Sequence, residues 1–320
     1  MLKKILLLIV VIVVIVFGII IFNSQDKDQN QADLKVVTNI YPAYDLVSQI
    51  AKEEVQITLV NNQGVDPHDF EPTGKQIAEI EDADIFIYFD EISGWVDDVL
   101  PKLKQKDIRL VNLTDSVDLL EIGEENETEH KEEGVDEKGE KHHKSFDPHV
   151  WMDPQNMQAL AKVVAIELSL LDSTNSRLYE TNSQIYIQNL DLLDTSLAKN
   201  LEQCLVNKIV TSHDAFDYLG NRYNFEIFPI SGIDPSEEPS PQKIIELSKI
   251  VEDARINVIL FETQVSDDFA KTIANETNSS VEVLYSMESP TTSQLEEFGD
   301  YVGFMKENEK SLTVALQCNK

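Results

Sequence analysis

The longest helical pattern in the chain runs from Arg177 to Gln203 and contains no proline or glycine. Apolar residues recur along it at helical spacing. At 27 residues it is far longer than the mean globular helix of about 11 to 12 residues. A helix of this length can bridge two domains, so the sequence predicts two lobes joined by a long, rigid helix.

Short apolar runs alternate with helical stretches on both sides of that helix, which is typical of β-α units around a parallel sheet. The first four runs are Leu34 to Ile40, Val55 to Val60, Asp84 to Phe89 and Ile108 to Leu113. The last four are Lys208 to Thr211, Phe225 to Ile230, Ile256 to Phe261 and Val281 to Tyr285. We therefore predict an α/β protein whose two lobes, 34–176 and 205–320, each contain a four-stranded parallel sheet flanked by helices. Residues 177–204 form the linker helix.

The N-terminal residues 1–24 predict a membrane segment. Lys3 and Lys4 precede eighteen apolar or glycine residues, Ile5 to Phe22, about 27 Å of helix at ~1.5 Å per residue. No small-x-small cleavage site and no cysteine follow the run, which favours an uncleaved anchor over a removed signal peptide. Residues 25–33 are a polar tether, and the lysine flank places the body of the protein outside the cytoplasm.

The net charge of -32 excludes a nucleic-acid partner, because phosphate binding requires clustered Lys and Arg. Much of the acid lies in residues 121–144, where ten Asp or Glu residues occur between Glu121 and Glu140. This stretch has almost no apolar residue, so we expect a mobile loop. Its histidines suggest a weak cation collector, although a solvated loop without a task explains the composition as well: His130, His142 and His143.

The two cysteines, Cys204 and Cys318, fit no metal-binding spacing. An oxidising location permits a disulfide between them. Two free buried thiols are the alternative.

The three remaining histidines all lie beyond the carboxyl ends of predicted strands. His68 occurs in GVDPHDFEPT, His149 in FDPHVWMDP and His213 in KIVTSHDAF. Paired α/β lobes bind ligands at those strand ends, in the crevice between the lobes. We therefore predict that the three imidazoles converge on one metal ion.

Five motifs in this order resemble the zinc- and manganese-binding solute-binding proteins of ABC importers, the ZnuA/TroA-like family: GVDPHDFEPT, FDPHVWMDP, IVTSHDAF, SGIDPSEEPSP and ILFETQVS. The resemblance covers about Leu34 to Gln317. It implies two lobes about a rigid helix, with a transition metal in the cleft that is handed to a membrane permease and its ATPase. It also implies His68, His149 and His213 as ligands.

The fourth ligand departs from the family pattern, in which an aspartate follows the last strand. Here the chain reads VEVLYSMES, with Tyr285 nearest that position. Glu262, at the end of the Ile256 to Phe261 run, is the favoured carboxylate because that strand should direct it into the cleft. Glu288 is a poorer choice, and a water molecule or Tyr285 stays open. Nearby carboxylates are expected to orient the histidines from outside: Asp66, Asp147, Asp153 and Asp214.

These residues predict an extracytoplasmic, membrane-tethered, monomeric protein that captures zinc for an ABC importer. Three neutral imidazoles suit Zn(II), with manganese as second choice and iron also compatible. A zinc hydrolase with an open fourth position is the competing class. However, no H-E-x-x-H, nucleophile or phosphate-loop motif occurs in the sequence. A surface adhesin using the same site is a third reading, which the sequence alone does not separate from transport.

Overall fold

The computed structural model describes residues 34–121, 146–263 and 266–318. The apolar run at residues 5–22 and the loop histidines His130, His142 and His143 lie outside these ranges. Among the described residues, no helix combines the length and the apolar character needed to cross a membrane.

The first lobe is a parallel four-stranded sheet with helices on both faces, as predicted. Its strand order is β2-β1-β3-β4. The strands are therefore added on one side of β1 first and then on the other, and the order changes between β1 and β3. The carboxyl ends of β1 and β3 meet at this point, where ligand sites form in open α/β sheets. The elements are β1 Lys35–Thr38, α1 Tyr41–Ala51, β2 Gln56–Leu59, α2 Gly74–Glu81, β3 Ile85–Tyr88, α3 Trp95–Leu103 and β4 Arg109–Asn112.

Two helices connect the lobes. The helical spacing of apolar residues from Pro154 to Leu171 predicts a helix with these bounds, which is α4, and the long helix α5 covers Ser176–Asn200. Helix α5 packs against α4 along its length and also contacts α1 of the first lobe and the last helix of the second. The predicted bridging helix is therefore present.

The second lobe contains all four predicted strands, but hydrogen bonds join them as two separate parallel pairs, β5-β6 and β7-β8. This corrects the expectation of one continuous sheet. Strands β5 and β7 lie side by side, yet their ends are linked through a side chain, because Ser212 Oγ accepts from Glu262 N at 3.1 Å. The elements are β5 Lys208–Thr211, α6 Asp217–Tyr223, β6 Glu226–Pro229, α7 Pro241–Ala254, β7 Val258–Phe261, α8 Asp268–Thr277, β8 Ser280–Val283, α9 Thr292–Phe298 and α10 Tyr301–Ala315.

The hydrophobic core follows the two-residue period of the strands. In β1, Val36 faces a large central cluster that also includes residues of α4, α5 and the second lobe, whereas Val37 faces an outer cluster beneath α2 and α3. In β7, Leu260 faces the same central cluster and Ile259 an outer cluster beneath α7 and α8. The central cluster therefore forms one hydrophobic core that includes residues of both lobes.

Two further features differ from, or complete, the sequence expectations. Cys204 and Cys318 form a disulfide, so the alternative of two free buried thiols is wrong. The apolar spacing from Glu296 to Gln317 predicts one closing helix, but the structure has two, α9 and α10. The break lies at Gly299, whose φ of 85° favours glycine, and Asp300 then caps α10 by accepting from Gly303 N at 3.0 Å.

Candidate metal centre

His149 is held by the residues just before it. It follows Pro148 at the start of a single 3-10 turn, Val150–Met152, directly before α4, and its side chain is fully buried. Asp147 Oδ1 lies 2.9 Å from the His149 backbone nitrogen and 2.7 Å from its Nδ1. Because a carboxylate accepts a hydrogen bond, Nδ1 carries the proton of the neutral imidazole, so Nε2 is the nitrogen that can offer its lone pair to a metal.

His213 has the same arrangement, but its carboxylate comes from another strand. It follows β5, is fully buried, and its Nδ1 lies 2.5 Å from Glu262 Oε1 at the end of β7. Ser212 Oγ donates to the same Glu262 oxygen at 2.9 Å. The Nε2 atom of His213 is thus also directed away from its carboxylate.

His68 lies in the loop between β2 and α2. Its backbone nitrogen donates to Asp66 Oδ1 at 2.9 Å, and the neighbouring Phe70 anchors the loop by packing into the outer core of the first lobe. The His68 ring is centred 6.0 Å from the His149 ring and 6.2 Å from the His213 ring. The structure thus brings the three predicted histidines together.

Glu288 completes the group. Its Oε1 lies 2.9 Å from His149 Nε2, 3.6 Å from His213 Nε2 and 3.7 Å from His68 Nε2. One ligand atom from each of the four residues falls within 4.8 Å of the others. Three imidazole nitrogens and one carboxylate oxygen form a set that suits a tetrahedral zinc ion.

The structure therefore does not place Glu262, the favoured fourth ligand, among the converging atoms. Its carboxylate contacts Nδ1 of His213 and so lies on the outer side of that ring. Tyr285 is directed elsewhere, because its ring packs against Phe298 and Phe304 at centroid distances of 5.3 and 5.5 Å.

The carboxylates expected around the histidines have distinct roles. Asp147 contacts a histidine ring, and Asp66 holds the His68 backbone. Asp153 instead caps α4 by accepting from Gln155 N at 2.7 Å, and it lies 3.7 Å from Arg222 Nε. Asp214 is buried, and its backbone nitrogen donates to Gly232 O at 3.1 Å. Burial is the main cause that raises the pKa of the Asp214 carboxyl to about 6.

The acidic surroundings favour positive charge at the centre. Burial lowers the pKa of His149, but Asp147 and Glu288 outweigh burial and raise it to about 9. The pKa of His213 is likewise raised well above its ordinary value by Glu262 and Glu288, against the effect of burial. Burial raises the pKa of Glu288, but the three histidines around its carboxylate outweigh burial and hold that pKa well below its usual range. A divalent cation can supply the charge that protons otherwise provide.

A cavity of about 440 Å³ adjoins the centre. It reaches Ser212 and Asp66, which flank His213 and His68. Four further carboxylates line it, which makes it attractive to a cation: Asp69, Glu237, Glu238 and Asp268.

Residues 36–315 match the family described as zinc-uptake complex component A, periplasmic, or ZnuA. The chain belongs to the ZnuA family. Its relatives in this family include the high-affinity zinc uptake system protein ZnuA of Bacillus subtilis, which is 34% identical over 293 residues, 90% of this chain and 89% of that protein.

Two further ZnuA-family comparisons concern Streptococcus pneumoniae. The zinc-binding lipoprotein AdcA is 35% identical over 288 residues, which are 89% of this chain but 56% of AdcA. This chain thus spans about half the length of AdcA. The crystal structure of the Zn(II)-bound ZnuA-like domain of AdcA matches with a TM-score of 0.73 at 31% identity, covering 88% of this chain and 98% of that domain. The two-lobed α/β fold is therefore that of the ZnuA family.

Proposed function

We propose that this chain captures a zinc ion between its lobes and that the ligands are His68, His149, His213 and Glu288. The observation that carries the proposal is the convergence of three imidazole nitrogens and one carboxylate oxygen within 4.8 Å. Metal-binding histidines need a fixed tautomer, and Asp147 and Glu262 provide one for His149 and His213.

The donor set supports zinc over manganese. Imidazole nitrogen suits zinc, whereas manganese is better served by carboxylate, carbonyl and water oxygens. Only one of the four converging atoms here is an oxygen. Manganese is the second candidate in the same role, followed by iron.

The geometry also supports binding over catalysis. A hydrolytic zinc centre keeps one coordination position open for water, whereas Glu288 would take that position in the proposed ligand set. Glu262, which could otherwise serve as a general base in a hydrolase, is engaged by His213 Nδ1 and Ser212 Oγ. Zinc is therefore cargo rather than a catalyst.

The proposed role is delivery of zinc to the permease of an ABC importer, whose ATPase drives uptake. The family description as the periplasmic component of a zinc-uptake complex supports this partner. In this proposal the protein acts as a monomer outside the cytoplasm, with residues 1–24 as its membrane anchor and residues 34–176 and 205–320 as its lobes.

The test is metal analysis of the purified chain with competition between zinc and manganese. We expect one zinc per chain, and each of His68→Ala, His149→Ala and His213→Ala should weaken binding on the order of 100-fold or more, since metal sites of this kind share ~10–16 kcal/mol among four ligands. The control is the double variant His142→Ala with His143→Ala, which should retain tight binding. Full affinity in any of the three single variants would remove that residue from the site, and a preference for manganese would overturn the choice of metal.

A further inference from the structure

The chain changes lobes just before Glu288. Up to Tyr285 it is held by the second lobe, because Tyr285 N donates to Asn308 Oδ1 at 2.8 Å and Asn308 Nδ2 donates to Tyr285 O at 2.8 Å. Asn308 lies on α10 and is fully buried. This pair of hydrogen bonds fixes the chain to the second lobe at one residue.

From Ser286 onward the backbone carbonyls accept hydrogen bonds from the first lobe. Ser286 O accepts from Trp151 Nε1 at 2.7 Å. Glu288 O accepts from Tyr41 N at 3.2 Å, and Ser289 O accepts from Gly64 N at 3.1 Å. The stretch Ser286 to Ser289, named here the Glu288 segment, therefore belongs to the second lobe by sequence but is bonded to the first.

Trp151 is the one side chain among these three donors, since Tyr41 and Gly64 use backbone nitrogens. It is fully buried, and its ring is centred 5.3 Å from the His149 ring. Its own carbonyl accepts from Tyr301 Oη at 2.8 Å. One residue thus contacts a first-lobe ligand and also holds the segment that carries Glu288.

The backbone at Met287 shows that the segment is tightly constrained. Its φ of 64° lies in the left-handed region, which residues other than glycine adopt rarely and keep only where the surroundings impose it. The hydrogen bonds to Ser286 O and Glu288 O act on either side of it. The turn at Met287 leads directly to Glu288, whose carboxylate oxygen lies 2.9 Å from His149 Nε2.

We propose that Trp151 is a positioning residue that fixes Glu288 against His149 through Ser286. The fourth ligand is then held by the first lobe, and His213 is the ligand held by the second lobe alone. This inference rests on the proposed function, because it assigns a role in the same zinc site.

The experiment is a double-mutant cycle on the zinc Kd, measured on the full chain by competition with a chromophoric chelator. Trp151→Phe keeps an aromatic ring but removes the indole N–H, and we expect about a tenfold weaker Kd, as for the loss of an outer partner of a metal ligand. If Trp151 acts through Glu288, adding Trp151→Phe to Glu288→Gln should weaken binding no further. Additive effects would overturn the inference.

The other tryptophan provides a matched control. Trp95 is also buried, 3% exposed, but its Nε1 has no hydrogen-bond partner among the described residues. Trp95→Phe should therefore leave the zinc Kd unchanged. Equal weakening by both substitutions would mean that loss of any core indole loosens the site, and would also overturn the inference.

A spectroscopic readout separates positioning from general destabilisation. Cobalt(II) in place of zinc reports its ligand set through its visible absorption, so Trp151→Phe should shift that spectrum in the same direction as Glu288→Gln. A wild-type spectrum in Trp151→Phe, together with weaker binding, would contradict the proposal. If Trp151→Phe does not fold, Tyr301→Phe, which removes the hydrogen bond to Trp151 O, takes its place in the cycle.

The two levels of the hypothesis fail differently. If the wild-type chain does not bind zinc, the proposed function fails. If the wild type binds zinc and Glu288→Gln weakens it while the Trp151 cycle is additive, only the role of Trp151 fails.

Discussion

The two lobes fix their histidines in the same way but from different sources. In the first lobe, the carboxylate on His149 Nδ1 belongs to Asp147, two residues earlier. In the second lobe, the carboxylate on His213 Nδ1 belongs to Glu262, 49 residues later. One partner is supplied by a local turn and the other by the neighbouring strand, so only the first can be recognised in a short motif.

The lobes also differ in how hydrogen bonds join their strands. Backbone hydrogen bonds join four strands continuously in the first lobe and two separate pairs in the second. The second lobe has in addition the Cys204–Cys318 disulfide, which joins the chain just after α5 to the chain just after α10. The covalent link thus encloses the lobe that has the less continuous sheet.

The largest effect we predict comes from removing that link. Replacing both cysteines, by Cys204→Ser with Cys318→Ser, opens a loop with a sequence separation of 114. A closed loop of this length contributes on the order of 4 to 5 kcal/mol to the free energy of unfolding in the chain-entropy treatment. Denaturant unfolding of wild type and variant measures the loss.

Amide hydrogen exchange shows where the loss occurs. Exchange should accelerate in β5–β8, while β1–β4 keep their protection. A reducing agent should destabilise the wild type and leave the double-serine variant unchanged. Equal loss of protection in both lobes would show that they unfold together and would contradict a stabilising effect of the disulfide on the second lobe alone.

The next effect distinguishes the carboxylates around the site by their position. Glu288→Gln removes a buried charge that faces the metal, at a cost of ~2–5 kcal/mol for a broken buried charge pair, so zinc should bind roughly 100-fold more weakly. Asp147→Asn and Glu262→Gln act on outer nitrogens, one in each lobe, and each should weaken binding about tenfold. Tyr285→Phe is the control and should leave the zinc Kd unchanged. Isothermal titration measures all four Kd values.

If Glu262→Gln weakens zinc binding more than Glu288→Gln does, Glu262 rather than Glu288 is the fourth ligand. A loss in Tyr285→Phe would contradict the packing of its ring against Phe298 and Phe304.

Much of this architecture can be predicted from local pattern. The bounds of α4, β5 and α7 agree with the apolar periodicity and with the prolines at the first positions of α4 and α7. The three histidines meet because parallel strands bring their carboxyl ends to one edge. Apolar spacing alone does not show the break between α9 and α10, but Gly299 followed by Asp300 indicates a helix end and a new N-cap.

The fourth ligand could not be predicted from the same patterns. Glu262 follows a predicted strand, a position that favours it as a ligand. Its carboxylate instead contacts Nδ1 of His213, the ring nitrogen that faces away from the centre. Glu288 reaches the centre only because the chain turns at Met287 with a φ of 64°, a conformation that no residue type at that position indicates. The hydrogen bonds around that turn come from Trp151, Tyr41 and Gly64, all distant in sequence.

The last prediction concerns the dependence on pH, which follows from the raised pKa of His149. Burial lowers this pKa, but Asp147 and Glu288 raise it to about 9 in the metal-free chain. A histidine whose folded-state pKa is raised stabilises the fold when protonated, so this stabilisation is fully present below about pH 6.5 and is lost as the pH rises through about 9. The unfolding free energy of the metal-free chain should fall over that window, while the zinc-loaded chain, in which the metal replaces the proton, should not follow it.

The same proton must leave when zinc binds, because a coordinating imidazole is neutral. Each proton released makes the zinc Kd tighter by about tenfold per pH unit, so binding should tighten from pH 7 towards pH 9, where the contribution of His149 levels off. Titrations at pH 7 in two buffers of different ionisation enthalpy count the protons released, and we expect at least about one per zinc. Asp147→Asn removes the largest influence that raises the pKa of His149, so it should move the levelling to lower pH. A Kd that is independent of pH between 7 and 9 would mean that His149 is already neutral in the metal-free chain, and that the carboxylates fix its tautomer without holding a proton in place of the metal.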